Sequence, residues 1–247
     1  MSSSRLDLHL HEQLLLLSLR QRNGALDSSA LFQTAMGAAI LAELASEGWI
    51  RIEAGKKGFV EAVDSRSDHV GDEILDEALA LVRGSRRRRG TAWISAFAML
   101  KQLTNRTAEG LCNRGILGSE EARTLRIFPS KVYPTVDTDT EHRLITEVSE
   151  AVTGDGEVDL RPGIIVSLAH ATGLLGSRFE YSTSGPPRAR RRAIAAGKHL
   201  VETAHAALHI HRWVRKSVIT SRLMLAAGAM ALLTFIITLL DRFNIGF

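Results

Sequence analysis

Between Arg222 and the Asp241–Arg242 pair the chain runs eighteen residues, Leu223 to Leu240, without a charge. As a helix this run is about 27 Å long, close to the thickness of a bilayer's hydrocarbon core. It is apolar on every side, so it has no polar face to turn to water. Its nine Leu, Ile and Phe residues favour insertion by roughly 3–5 kcal/mol. Two outcomes satisfy such a segment: a membrane anchor, or a helix wholly enclosed in a protein core. Its position at the end of the chain favours the anchor. Arg212, Arg215, Lys216 and Arg222 precede the run, and only Arg242 follows it, beside Asp241. Cations are retained on the cytoplasmic side, so residues 1–216 are expected there, with 217–247 as the apolar appendage.

The rest of the 247 residues reads as one globular domain. No N-terminal signal peptide is expected, because the apolar stretch Leu14–Leu17 is short and follows His11 and Glu12. Cys112 is alone, which rules out an intrachain disulfide and agrees with a reducing compartment. Of 31 basic residues six are lysine and 25 arginine, a bias read as a GC-rich bacterial genome. Two arginine runs, Arg86–Arg89 and Arg188 with Arg190–Arg192, point to anionic partners or to solvated loops.

Hydrophobic periodicity predicts a mainly α fold with short β-hairpins. Leu8 to Leu19 forms an amphipathic helix ended by Asn23-Gly24. Asp27 or Ser28 caps a second helix that runs to Glu47, with Gly48 as its stop. Trp49–Glu53 and Phe59–Val63 flank the turn Gly55–Gly58 as a hairpin. Helices follow from Asp72 to Val82, from Thr91 to Leu100 and from Gln102 to Arg114, with Gly84–Gly90 as a polar loop. Leu125–Phe128 and Val132–Val136 form a second hairpin, kept at an edge by Pro129 and Pro134. Asp139 caps a helix to Val152, Pro162 starts one through Leu175, and Arg188–Lys216 is a long helix beyond the linker Ser182–Pro187.

No pattern of catalytic chemistry emerges. Phosphate-loop, dinucleotide and nucleophile-elbow signatures are missing. His205 and His209 share a helical face, but Ala206 stands where a catalytic zinc helix carries Glu. No metal and no cofactor is expected. His170 reads as a satisfied core histidine, and Asp72, Glu73, Asp76 and Glu77 as dipole-stabilising acids at a helix start. Gly37 reads as a small-residue helix contact. The helix–helix–hairpin order also outlines a winged-helix nucleic-acid binder. Its recognition helix, Ser28–Glu47, has only Gln33 to read a base and no Arg, Lys, Asn or His, so nucleic acid is not the expected partner.

Four segments in order resemble the Golgi phosphoprotein 3 family. They are Leu10–Glu53, with its Leu-rich opening, Asn-Gly and Gly-Trp-Ile-Arg-Ile-Glu; Gly71–Leu79; Asn113–Leu117; and Leu168–Ala171. The resemblance implies a helical, non-enzymatic protein on the cytoplasmic face of a membrane. Its eukaryotic members bind phosphatidylinositol 4-phosphate and the cytoplasmic tails of Golgi glycosyltransferases, and a hydrophobic hairpin aids insertion and self-association. The family's headgroup Trp and Arg fall near Ser28 and on Gly37, and two further Arg positions fall on Lys101 and Thr104. Lys101, with Arg106 close by, keeps the charge. The expected contacts to an anionic phospholipid membrane are therefore Lys101, Arg106 and Arg86, Arg87, Arg88 and Arg89, with Phe128, Val132 and Tyr133 as apolar hairpin tips. Cytoplasmic protein tails and a homo-oligomer are the other implied partners.

Overall fold

A computed structural model describes residues 6–21, 24–53, 58–63, 69–124, 128–153 and 159–176. The expected helix 188–216, the linker before it, the second arginine run, the histidines from His199 to His211 and the apolar run Leu223–Leu240 lie outside the described residues. Among the described residues no helix is long and apolar enough to cross a membrane.

The described part is mainly helical. Helix α1 (Leu10–Gln21) lies against α2 (Ala30–Ser46), α5 (Leu103–Asn113), α6 (Thr138–Thr153) and α7 (Leu160–Ala171). It is not the one-faced surface helix expected. Every residue from Leu10 to Leu19 is buried, including His11, Glu12, Gln13 and Ser18. Neighbours on several sides leave it no solvent face.

Helix α2 is mostly apolar and is buried from Ala35 to Leu44, the charged Glu43 included. Its cap is Ser29, one residue past the expected positions. The Ser29 Oγ accepts from the Phe32 N–H at 3.3 Å, and Asp27 in turn accepts from the Ser29 N–H at 2.8 Å. A helix so enclosed cannot enter a nucleic-acid groove, which removes the winged-helix reading. Helix α2 packs extensively against α4 (Gly90–Ala98). Gly37 makes this approach possible: a Cβ there would meet the Ile94 carbonyl oxygen at 2.3 Å and the Ala98 nitrogen at 2.7 Å.

Strands β1 (Ile50–Ile52) and β2 (Phe59–Ala62) form the expected antiparallel hairpin, with Ile50 opposite Ala62 and Ile52 opposite Val60. The polar loop expected at 84–90 contains a third strand, β3 (Arg88–Arg89), which pairs with β2 at Phe59 and Val60. Helix α3 (Glu73–Arg83) is capped by Asp72, whose Oδ1 accepts from the Leu75 N–H at 2.8 Å.

The second hairpin comprises β4 (Glu120–Thr124) and β5 (Phe128–Val132), displaced by several residues from the expected Leu125–Phe128 and Val132–Val136. Pro129 sits in a two-stranded sheet, where every strand is an edge, so its missing N–H is tolerated. Asp137, two residues before the expected cap Asp139, accepts from the N–H groups of Asp139 and Thr140 at 3.1 and 3.0 Å at the start of α6. Pro162 occupies the first turn of α7, as its fixed φ favours. His170, expected in the core, is exposed in the last turn of α7.

Candidate functional site

The second half of the first arginine run, Arg88–Arg89, forms the edge strand β3 and leads directly into α4. Arg86, Arg87, Arg88 and Arg89 are all exposed. Backbone pairing with β2 fixes the run, and the Gly90 N–H donates to the Gly58 carbonyl at 2.9 Å. The four side chains are not equivalent. Arg87 pairs with Glu53 and, at 2.7 Å, with Glu61, and its guanidinium lies 4.8 Å from the centre of the Phe59 ring. Arg88 stacks over the buried Trp93 at 5.3 Å. Arg86, Arg88 and Arg89 have no carboxylate partner among the described residues. Beside the run an open cleft of about 430 Å³ is lined by Val60, Glu61, Ala62, Val82, Arg83, Ser85 and Arg87.

Helix α4 is about 13 Å long by its rise per residue. Trp93, Ile94 and Phe97 turn inward. Thr91, Ala92, Ser95 and Met99 are exposed and carry no charge. Thr91, Ser95 and Met99 follow the four-residue spacing of one helix face. Met99 is 83% exposed, the most exposed of the large hydrophobic side chains among the described residues. Lys101 follows it, exposed and without an ion-pair partner among the described residues. The chain turns there at Gln102, which adopts a left-handed φ of 52°. An uncharged helix face is thus bracketed by cations: Arg88 and Arg89 at the positive end of the helix dipole, Lys101 at the other.

The remaining expected contacts are placed differently. Arg106 donates to Glu77 at 2.6 Å and to Glu73 at 2.8 Å, so two carboxylates of α3 neutralise it. Burial opposes its charge, but these carboxylates outweigh that and raise its pKa. Thr104 is buried, Ser28 is exposed, and Gly37 is filled by α4. Arg106 also lies beside Lys101, donating to its carbonyl at 3.4 Å. Tyr133 is 1% exposed, and its N–H donates to the Gly24 carbonyl at 2.8 Å, so its ring is core and not a hairpin tip. Val132 is half-buried and bridges Ala25. Phe128 starts β5.

Cys112 shows no nucleophile's environment. Burial raises its pKa, Glu109 adds to that, and the thiol donates to the Gly118 carbonyl at 3.4 Å. A second polar cluster lies inside the fold. Glu43 of α2 accepts from the Leu10 N–H at 2.9 Å and from Arg161 at 2.9 Å, and contacts His9 Nδ1 at 3.1 Å. Burial alone pushes the Glu43 carboxyl up, but His9 and Arg161 outweigh it and hold the pKa at about 2.

The fold and this bracketed face define a helical protein without a recognisable catalytic constellation among the described residues. The chain belongs to the Golgi phosphoprotein 3 (GPP34) family, whose model matches residues 10–219. It is similar to the vacuolar protein sorting-associated protein 74 of Schizosaccharomyces pombe, 29% identical over 167 residues, which cover 59% of this chain and 48% of that protein. The protein of the same name from Eremothecium gossypii is 29% identical over 151 residues, 53% of this chain and 45% of its own. The chain spans about half the length of these curated relatives. Both are fungal, and they lend no support to the bacterial origin read from the arginine bias.

Proposed function

We propose that this chain is a non-enzymatic adaptor on the cytoplasmic face of a membrane, binding anionic phospholipid through the surface around α4. One observation carries the reading: the exposed face of α4 is uncharged and is flanked by Arg88 and Arg89 at one end and Lys101 at the other. A helix lying flat on a bilayer needs that arrangement, with cations at headgroup depth and uncharged side chains against the acyl boundary. Met99 supplies the apolar contact, and the unpaired Arg86 adds to the field. Family membership supports lipid binding, including phosphoinositide headgroups, and the sorting role in the relatives' name supports a hold on the cytoplasmic tails of membrane proteins. Self-association belongs to the same reading. The apolar run Leu223–Leu240 adds a permanent anchor to this reversible contact.

Flotation with phosphatidylserine-containing and neutral vesicles, done on the chain carrying L233R/I236R so that the apolar run does not hold it, tests the surface. Preferential, salt-sensitive flotation with the anionic vesicles is expected, weakened in R86Q/R88Q/R89Q and in M99E. Equal flotation of this parent chain and both variants would overturn the assignment. Phosphatidylinositol phosphates added to the vesicles report whether the headgroup is read specifically.

A further inference from the structure

At the N-terminal end of α1, three metal-ligand side chains from two elements face one another. His11 is fully buried, and among the described residues neither of its ring nitrogens has a hydrogen-bond partner. Its Nε2 lies 3.8 Å from Asp72 Oδ1, too far for a hydrogen bond. Glu12 is buried next to it, and one ligand atom from each of His11, Glu12 and Asp72 lies within 4.8 Å of the others. We propose that His11, Glu12 and Asp72 form a divalent-metal site for Zn2+ or a first-row ion of similar preference, which ties α1 to the start of α3.

The physical reason is an unmet requirement. A neutral imidazole carries one donor and one acceptor, and leaving them buried and unpaired is unfavourable. A neutral imidazole presents one ring-nitrogen lone pair, and here no hydrogen-bond donor among the described residues occupies it. A dication accepts that lone pair and the two carboxylates together. One imidazole and two carboxylates form a nitrogen–oxygen set suited to zinc.

The surroundings orient the ligands as second-shell groups do. Glu12 Oε1 accepts from Arg114 at 2.8 Å, and Oε2 accepts from the His9 N–H at 2.8 Å. Asp72 Oδ1 is held by the Leu75 N–H at 2.8 Å. The His9 ring stacks on His11, with centroids 5.8 Å apart and planes 6° from parallel, and Glu43 holds His9 from its other side. Each carboxylate oxygen keeps a second lone pair for the metal. Zinc bonds of about 2.0–2.2 Å place ligand atoms roughly 3.3 Å apart in a tetrahedron, so on binding the His11–Asp72 pair, now 3.8 Å apart, closes by about half an ångström and the widest pair, within 4.8 Å, by up to about 1.5 Å. Asp72 is the partly exposed member, which gives the ion its way in and leaves the remaining position to water.

The test uses the full chain freed of metal by chelator dialysis, then titrated calorimetrically with Zn2+ and, for its absorption bands, with Co2+. H11L fills the buried space with an apolar side chain, and D72N keeps an oxygen for the helix cap, so both are built to fold. Circular dichroism and thermal unfolding verify that. Wild type is expected to bind one more equivalent of Zn2+ than H11L, to show Co2+ visible absorption that H11L lacks, and to gain several degrees in Tm with Zn2+ that H11L does not gain. D72N is expected to bind at least tenfold more weakly. Histidines elsewhere contribute equally to all variants and cancel in the comparison. Identical Zn2+ stoichiometry, affinity and Tm shift in wild type and folded H11L would overturn the site.

Discussion

Arg161 of α7 donates to Glu43 of α2 at 2.9 Å, across more than a hundred residues of chain, and completes the partners of a carboxylate buried among apolar side chains. The same carboxylate accepts the Leu10 N–H at the start of α1. Arg161 also donates to the Leu8 carbonyl at 2.9 Å. One ion pair therefore fixes where α1, α2 and α7 meet. Removing one partner of a buried pair costs about 3–5 kcal/mol, because the other is left uncompensated. E43A is expected to lose stability on this scale, read as a lower urea midpoint. R161M should lose about as much. A loss under 1 kcal/mol in both would show that the pair is solvated.

The same site makes a pH prediction. The Glu43 pKa is about 2 in the folded chain against 4.5 for the free side chain. A depressed carboxylate contributes stability that is complete above the unfolded value and is lost as pH falls through the folded one. Stability should therefore decline between about pH 4.5 and 2, with up to about 3 kcal/mol attributable to Glu43. E43Q should remove that part of the acid slope. Parallel slopes in wild type and E43Q would assign acid sensitivity to other groups.

Gly37 gives a packing prediction. A methyl at this position meets backbone atoms of α4, which cannot rotate away, so the two helices must separate. G37A is expected to cost about 2–3 kcal/mol, despite alanine's better helix propensity, and to lower Tm by about 5–10 °C. An unchanged or higher Tm would mean that α4 moves freely against α2.

Within the arginine run the structure separates structural from lipid-facing charge. Arg87 is engaged by Glu53 and Glu61, and these exposed pairs are worth little, about 0.5 kcal/mol. R87Q should leave anionic-vesicle affinity within about threefold of wild type. Arg86, Arg88 and Arg89 each contribute about 1 kcal/mol near an anionic surface, so the triple Gln variant should bind roughly 100-fold more weakly at low salt. Vesicle titrations at two ionic strengths, on the L233R/I236R background, check both, and equal losses in R87Q and the triple variant would contradict the division.

For the apolar run, alkaline carbonate washing of membranes from cells expressing the full chain is the measurement. The chain is expected to remain in the pellet. L233R/I236R places two cations mid-span, at about 2.5–3.5 kcal/mol each, and should release it. An intact chain that is soluble without detergent would make Leu223–Leu240 part of a core.

Short-range signals determined most elements directly. The Ser29 and Asp72 caps, and the left-handed glycines Gly48 and Gly115 at helix ends, act within a few residues, so they can be read from the chain with an error of one or two positions. The first hairpin and the Gly37 contact were legible for the same reason: a turn and a missing side chain are local properties. Tertiary structure decided what depends on distant neighbours. A leucine-rich helix looks one-faced in sequence, yet α1 is enclosed because four other helices surround it. Two arginines become a strand only because β2 offers an open edge. Tyr133 turns inward and His170 outward, although neither pattern is written in its flanking residues. The Glu43–Arg161 pair and the meeting of His11, Glu12 and Asp72 join positions far apart in the chain, and no periodicity encodes that distance. The charge of the α4 face was countable from its residues; which of its arginines are already paired was not, because Glu53 and Glu61 reach Arg87 only through the folded sheet.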